Sequence, residues 1–365
     1  MKTLSVLTFF LLLKLAGIGQ STEKEQALEL CRTAIKLMDN GQLDESIDLL
    51  TKAQKLDPER IDYPYETAYA YYQKKDYAKA IEILHSITNH RDVTFHSFQL
   101  LGNSYDLAGE PDKALEIYAQ GMNKFPEAGN FYLESGNIEY ARENYNEAIA
   151  YWEKGIKVDP NYPSNYYWLS KSFSFTNEKI WALFYGEIFI NLEPGTSRTK
   201  EISKLLYNTY QKSYVGESST SGEFKLTEKG FVINAENKDD LKKIKKGILP
   251  FEGTFASIFV LSAINFLSRI DIATIAEARA NFLKYWFDEK KMDKHYENKL
   301  LSYQNGLKEN GLFEAYSYWL LAEGNPEQFE AWYMKNSEKF AEFADWFRAN
   351  TISIRSKDLY SRRDY

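Results

Sequence analysis

The sequence is poor in the residues that cross-link a protein or bind metals. It has one cysteine, Cys31, in 365 residues, so no internal disulfide can form and stability must come from packing. Cys31 stands among apolar neighbours at a helical position, which favours a small buried hydrophobe over a reactive thiol. Of the four histidines, His85, His90 and His96 lie close in sequence, but their spacings of five and six residues place no two successive ones on one helical face. The sequence therefore predicts no metal site.

Other absences concern chemistry and partners. Lys and Arg total 45 against 52 Asp and Glu, a net charge of −7, which argues against nucleic acid as a partner. Neither a Gly-rich phosphate loop nor a Gly-x-Ser-x-Gly nucleophile motif occurs. Acidic residues are abundant, but abundance alone does not indicate an acid/base pair. We expect a protein that is not an enzyme and binds no cofactor.

The first 19 residues have the pattern of a secretory signal peptide. A basic start is followed by an apolar run from Leu4 to Leu13 and by small residues that end at Gly19. The run is too short to span a bilayer comfortably, and Lys14 interrupts it. We expect cleavage after Gly19, export to the periplasm or the extracellular space, and no membrane span in the mature chain. An uncleaved membrane anchor is the alternative.

The N-terminal half repeats with a period of 34 residues. Prolines that terminate helices keep this register at Pro58, Pro126, Pro160 and Pro194. One column of small residues does the same at Ser46, Ala80, Ala114, Ala148 and Ala182. A second column consists of Ala34, Ala68, Gly102, Gly136 and Ser170. Three columns locked to one period over five cycles indicate a repeat architecture.

Each period is typical of two helices. In residues 95–128, Phe98, Leu101 and Tyr105 form one apolar stripe, and a second stripe ends at Pro126. Such a pair buries only part of its apolar surface, so neighbouring pairs must stack to cover the rest. Small residues between the helices let them approach closely.

These columns resemble the tetratricopeptide repeat family over residues 27–196. The match is best in repeats 95–128 and 129–162, whereas Pro64, Glu139 and Gly186 depart from the family pattern. The resemblance implies a mainly α fold, a right-handed α-solenoid of five helix-turn-helix repeats. It also implies binding, because the first helices of such arrays line a concave groove that holds a peptide or a partner protein.

The repeat register identifies candidate groove residues on the first helices. They are Tyr65, Tyr69, Tyr72, His96, Gln99, Asn103, Asp106, Asn130, Asn137, Tyr140, Tyr167 and Lys171. Asn103 and Asn137 share one repeat position, so we expect them to stack along the groove. The alternative is that all twelve are ordinary surface residues of a structural spacer. The family's clamp for acidic chaperone tails is not expected, because Cys31, Ile35 and Glu66 occupy its places.

The rest of the chain is less regular. We predict a capping helix over 197–215, a flexible linker over 216–222 and a helical C-terminal domain over 223–365. That domain is predicted to contain a small β-hairpin that pairs Phe224/Leu226 with Phe231/Ile233, and a frayed tail over 355–365. The basic run over 242–246 indicates the solvated face of a short helix, or alternatively a contact with an anionic surface.

Together these features predict an exported scaffold or assembly factor that holds a peptide or partner protein in the groove of its repeats. The alternative is a cell-envelope enzyme with an active site in the C-terminal helical half. That alternative predicts clustered carboxylates with perturbed pKa values there.

Overall fold

The computed structural model describes residues 4–218, 221–227, 250–263 and 270–365, with side chains described over 22–214, 225–227, 250–263 and 270–365. Three predictions fall outside these residues and stay predictions. They are the side-chain features of the signal peptide, the second strand of the predicted hairpin at Phe231/Ile233, and the basic run over 242–246. The chain divides into two compact units, one ending at Arg142 and the other beginning at Glu143.

The first unit is built of helices packed in pairs. In chain order they are α1 (Leu4–Asp39), α2 (Leu43–Leu56), α3 (Asp62–Gln73), α4 (Tyr77–Ile87), α5 (Phe95–Leu107), α6 (Pro111–Lys124) and α7 (Gly129–Ala141). Helix α1 packs on α2, α3 on α4, and α5 on α6, and each pair contacts the next. Among the first helices, α3 contacts α5, and α5 contacts α7. This is the predicted solenoid arrangement of helix-turn-helix repeats.

The second unit continues the repeats and adds further helices. It contains α8 (Tyr145–Val158), α9 (Pro163–Ser174), α10 (Lys179–Leu192), α11 (Ser197–Ser213), β1 (Tyr214–Ser218), β2 (Ser221–Phe224), α12 (Phe251–Ala263), α13 (Ile272–Leu283), α14 (Lys299–Glu309), α15 (Phe313–Leu321), α16 (Pro326–Tyr333) and α17 (Ser337–Ala349). Helix α11 packs on α9 and α10, as a capping helix would. The predicted mainly α fold class is confirmed.

The 34-residue period is explained by the packing of the second helices. Helices α2, α4, α6, α8 and α10 each begin 34 residues after the one before. A Cβ added at Gly102, in the second small-residue column, would overlap the ring of Tyr118, and one at Gly121 on α6 would overlap the ring of Phe131. The small residues are therefore required because aromatic rings of neighbouring helices lie against their backbones.

Pro64, which departs from the family pattern, is accommodated by its place in the helix. Helix α3 begins at Asp62, so Pro64 lies in its first turn. Backbone N–H groups of a first turn have no partner within the helix, and proline therefore costs little there. The repeat over 61–94 is intact for this reason.

The predicted linker over 216–222 is wrong. Strands β1 and β2 pair in an antiparallel sheet in which Tyr214 lies opposite Phe224 and Gly216 lies opposite Gly222. The small polar residues that indicated flexibility instead lie in these two strands, over 216–218 and 221–222. Accordingly, the compact units separate at Arg142, inside the repeat array, and not at this stretch.

The tail over 355–365 is not frayed. Tyr360 is fully buried, and its hydroxyl donates to the carbonyl oxygen of Ile156 at 2.5 Å. Arg362 donates to both carboxylate oxygens of Glu153, at 2.8 and 3.2 Å, and Arg363 donates to the same group at 2.6 Å. Glu153 has no exposed surface, so the charged tail is held by a buried acid on α8.

The apolar helix α12 lies in the core of the second unit. Phe251, Phe255 and Phe259 on α12 are buried, and Phe255 packs against Phe282 with ring centroids 4.5 Å apart. Among the described residues, no helix combines the length and apolar character that a membrane span needs.

Candidate functional site

The candidate site is built around a carboxylate that joins two first helices of the first unit. Glu134 on α7 accepts a hydrogen bond from Gln99 Nε2 on α5 at 3.1 Å. It accepts a second from Asn137 Nδ2, one turn along its own helix, at 3.2 Å. Burial raises the pKa of Glu134, and these two hydrogen bonds offset only part of that effect. Two of the predicted groove residues are thereby brought together.

Further predicted residues lie around this carboxylate. Burial is the main cause of the raised pKa of Tyr72 on α3, and the charges of Glu134 and Asp106 add to it. The hydroxyl of Tyr118, on α6, donates to Asn103 Oδ1 at 2.6 Å. We call the group formed by Glu134, Gln99, Asn137, Asn103, Asp106, Tyr72 and Tyr118 the Glu134 cluster.

The predicted stacking of Asn103 and Asn137 takes a different form. Asn103 is half-buried and accepts from Tyr118 of its own helix pair, whereas Asn137 turns to Glu134. The two side chains belong to one cluster through separate partners. The cross-helix connection is made by Gln99 and Glu134 instead.

Asn130 is the most unusual member of the predicted set. It lies on α7 four residues before Glu134 and seven before Asn137, a spacing that places the three on one helical stripe. It is only 5% exposed, and neither its Oδ1 nor its Nδ2 has a hydrogen-bond partner among the described residues. A buried amide with both groups unsatisfied costs free energy and requires an explanation.

Tyrosines extend this face along α3. Tyr69 and Tyr72 stack with ring centroids 6.4 Å apart, and Tyr72 meets Tyr77 edge-on at 5.8 Å. Tyr69 is 38% exposed, whereas Tyr65 is half-buried and burial raises its pKa to about 12. The helix therefore offers an aromatic surface that is partly open to solvent.

The remaining predicted residues are placed less uniformly. His96 is exposed and lies against Phe95, with ring centroids 3.9 Å apart, and Tyr140 is exposed at the end of α7. In the second unit Tyr167 is buried, and its hydroxyl donates to Glu201 Oε2 at 2.6 Å. Lys171 is engaged by the same carboxylate at 2.8 Å. These last two belong to an internal network of the second unit, which makes them poor groove residues.

Glu134 and Glu66 were missed by the sequence reasoning. They stand 68 residues apart at one repeat position, where the intervening repeat has the buried Leu100. Burial raises the pKa of Glu66 too, with smaller contributions from Asp62 and Asp39. The signal in the sequence that could have identified Glu134 is a carboxylate at a repeat position where the neighbouring repeat has the apolar Leu100.

The C-terminal half offers no comparable carboxylate among its described residues. Those with a shifted pKa are Glu314, Asp358 and Asp364, and all three are lowered. In each case burial acts to raise the pKa, and hydrogen bonds from other groups, a lysine or arginine among them, outweigh it. No carboxylate with a raised pKa is therefore found in the described part of this half.

A buried polar network lies in the second unit. Glu187 Oε1 accepts from Arg279 Nη2 at 2.6 Å, from Gln304 Nε2 at 2.6 Å and from the Tyr316 hydroxyl at 2.8 Å. The cavity beside it has a volume of about 20 Å³, which is room for water only. The network joins α10 to α13, α14 and α15 and is structural.

Comparison with known proteins supports the repeat assignment. The family described as "Tetratricopeptide repeat" matches residues 37–98, and that described as "TPR repeat" matches residues 136–173. Tetratricopeptide repeat protein 21B of Mus musculus is 36% identical over 61 residues, 17% of this chain and 5% of that protein. The Homo sapiens protein of the same name is 28% identical over 119 residues, which are 32% of this chain and 9% of that protein. This chain spans less than a tenth of these relatives.

Among solved structures, the chain is similar to the Pseudomonas aeruginosa pilF protein. The TM-score is 0.44 at 14% identity, over 52% of this chain and 86% of that one.

Proposed function

The chain carries a segment of the tetratricopeptide repeat family, whose repeats form protein–protein interaction scaffolds, and we propose that it holds a peptide segment of a partner on its first helices. The contact face comprises α3, α5 and α7 of the first unit. One observation carries the proposal: Gln99 of α5 and Asn137 of α7, both selected as groove residues, donate to the single carboxylate of Glu134, and Tyr72 of α3 lies near enough for that charge to affect its pKa.

The chemistry of this face suits a peptide. Side-chain amides can donate to and accept from a peptide backbone. Tyrosine offers a large contact area at a low cost in side-chain entropy. Tyr69 and Tyr140 are 38% and 39% exposed, at opposite ends of the face in sequence, so a partner can reach them without unfolding the repeats.

Affinity capture from a native cell-envelope extract tests the proposal. The bait variant is Tyr69→Ala/Tyr140→Ala, which removes exposed rings of α3 and α7. Asn103 is unsuitable, because its loss would leave the Tyr118 hydroxyl without an acceptor. The matched control is Tyr145→Ala/Tyr333→Ala, which removes rings that are 51% and 37% exposed outside the three first helices.

We expect a partner that the wild type and the control retain and the variant loses, with the same melting temperature in all three. Equal retention by all three would contradict the proposal. Loss from the control as well as from the variant would indicate nonspecific capture by exposed aromatic rings.

We further propose that the scaffold works outside the cytoplasm. The basic start, the apolar run from Leu4 to Leu13 and the small residues before Gln20 support this. N-terminal sequencing of the protein from fractionated cells is expected to begin at Gln20 in the exported fraction. A soluble cytoplasmic protein that retains Met1 would contradict export, and an envelope protein that retains it would indicate an anchor.

A further inference from the structure

Helices α3, α5 and α7 of the first unit carry charge of one sign, unlike the first helix α1, which contains Arg32 and Lys36. Helices α3, α5 and α7 contain five carboxylates, namely Asp62, Glu66, Asp106, Glu134 and Glu139, and contain no lysine or arginine. The second helices differ, since α4 has Lys79 and α6 has Lys113 and Lys124. The face proposed to bind a partner is therefore acidic, although the chain as a whole mixes both charges.

The central carboxylate of this face has no cation of its own. Glu134 is hydrogen-bonded to two neutral amides, and no ion pair reaches it among the described residues. The nearby Arg142 acts on Asp106, but its guanidinium is bonded to Asp112 at 2.7 Å and to Glu139 at 3.3 Å. The carboxylate of Glu134 is therefore held in place by two amide donors, and its charge is available to pair with a cation of a partner.

Asn130 provides a second and independent indication. Asn130 is 95% buried on the stripe that holds Glu134, and neither the donor nor the acceptor of its amide has a partner among the described residues. A peptide bond offers the complementary pair, one N–H and one C=O. An extended chain on this stripe would satisfy both groups of Asn130 and could present a side chain toward Glu134.

We propose that the first-helix face of the first unit binds an extended peptide segment that carries a lysine or arginine, with Glu134 receiving the cation and Asn130 pairing with the peptide backbone. This inference rests on the proposed function and adds the chemistry of the partner. The ring of Tyr72, close enough to Glu134 to respond to its charge, gives the aliphatic stem and the cation an aromatic surface.

Degenerate octapeptides with one fixed central residue test the charge preference. Three fluorescently labelled libraries are compared by anisotropy on the full chain, with lysine, norleucine or glutamate fixed. Norleucine keeps the aliphatic stem and removes the charge. The lysine library is expected to bind roughly tenfold more tightly than the norleucine library, and the glutamate library most weakly.

Two charge-removing variants locate the effect. In Glu134→Gln, rotation of the Asn137 amide lets its unpartnered Oδ1 accept from the new amide, so the fold is retained. This variant is expected to bind the lysine and norleucine libraries equally. Glu116→Gln removes an exposed carboxylate from the second helix α6 and is expected to keep the lysine preference.

Asn130→Leu separates a binding role from a structural one. If the amide of Asn130 serves to bind a ligand, its hydrogen-bonding groups are unsatisfied in the free protein, and replacing it by leucine should raise the melting temperature. The same replacement should weaken the binding of all three libraries by the same factor. A lower melting temperature would show that Asn130 supports the fold and would overturn its assigned role.

The outcomes for the two proposals differ. Equal affinity of the wild type for all three libraries would leave peptide binding standing and overturn the basic partner. A lysine preference that survives Glu134→Gln would overturn the role of Glu134. Failure of every library to bind would count against both proposals.

Discussion

The buried acid that holds the C-terminal tail allows a quantitative prediction. Glu153 has no exposed surface, and its carboxylate is compensated by Arg362 and Arg363, whose side chains are 30% and 43% exposed. Replacing both arginines by alanine leaves a buried carboxylate without its cations. Removing one side of a buried ion pair typically costs about 3–5 kcal/mol. Because these arginines are partly in water, we expect the lower end, about 3 kcal/mol of lost unfolding free energy.

The location of the tryptophans makes the assay specific. All seven lie between Trp152 and Trp346, within the second unit, so urea unfolding followed by tryptophan fluorescence reports that unit alone. The control is Arg348→Ala, because the Arg348–Asp345 pair is over 70% exposed on both sides. Such surface pairs contribute about 0–1 kcal/mol. The fluorescence midpoint should fall strongly in the first variant and hardly in the second.

Apolar replacement of the whole group checks the cause. If the loss comes from an uncompensated charge, adding Glu153→Met to the double arginine variant should recover much of the stability, since apolar residues often replace a buried ion pair without loss. A double arginine variant as stable as the wild type would refute the reasoning. A triple variant no better than the double would show that the tail is held by shape, for example by Tyr360.

Three further predictions concern the first unit. Gly102→Ala should destabilise the first unit by about 2 kcal/mol, because the added methyl group overlaps the ring of Tyr118. The unfolding midpoint measured by circular dichroism should fall while the midpoint measured by tryptophan fluorescence stays the same. Two unchanged midpoints would contradict this contact. Burial raises the pKa of Glu134, so the ionised side chain destabilises the unit as pH rises through that pKa. Glu134→Gln should therefore stabilise the unit at pH 7 and lose this advantage below about pH 4, where glutamate is protonated in the unfolded chain as well. A pH-independent difference would show that its charge does not matter. Burial raises the pKa of Cys31 to about 11, so a thiol reagent at pH 8 should label it only after unfolding; rapid labelling of the native chain would contradict its burial.

The repeats were predictable because their determinants are local and periodic. Helix ends, small residues such as Gly102 and the prolines recur every 34 residues, and each has a physical reason within two adjacent helices. The same register selected Gln99 and Asn137, which the structure brings together. The register did not select Glu134, because the neighbouring repeat has the buried Leu100 at the same repeat position, which indicates a packing residue.

The failures lie where contacts span long stretches of sequence. Arg362 and Glu153 are 209 residues apart, and no periodicity links them, so a charged tail was predicted to fray. Asn161 exchanges two hydrogen bonds with the backbone of Ile354, at 2.8 and 3.0 Å, for which the sequence gives no signal. The paired strands β1 and β2 are not predicted, because small polar residues such as those over 216–222 are also typical of flexible linkers.

The most direct test of the central claim is site-specific photo-cross-linking in intact cells. A photoreactive phenylalanine is placed at Tyr69 on the first helix α3, and in a second strain at Tyr145 on the second helix α8, both of which are exposed. We expect a discrete cross-linked partner from position 69 and none from position 145. A partner captured from position 145 alone, or from neither position, would contradict a binding role for the first-helix face.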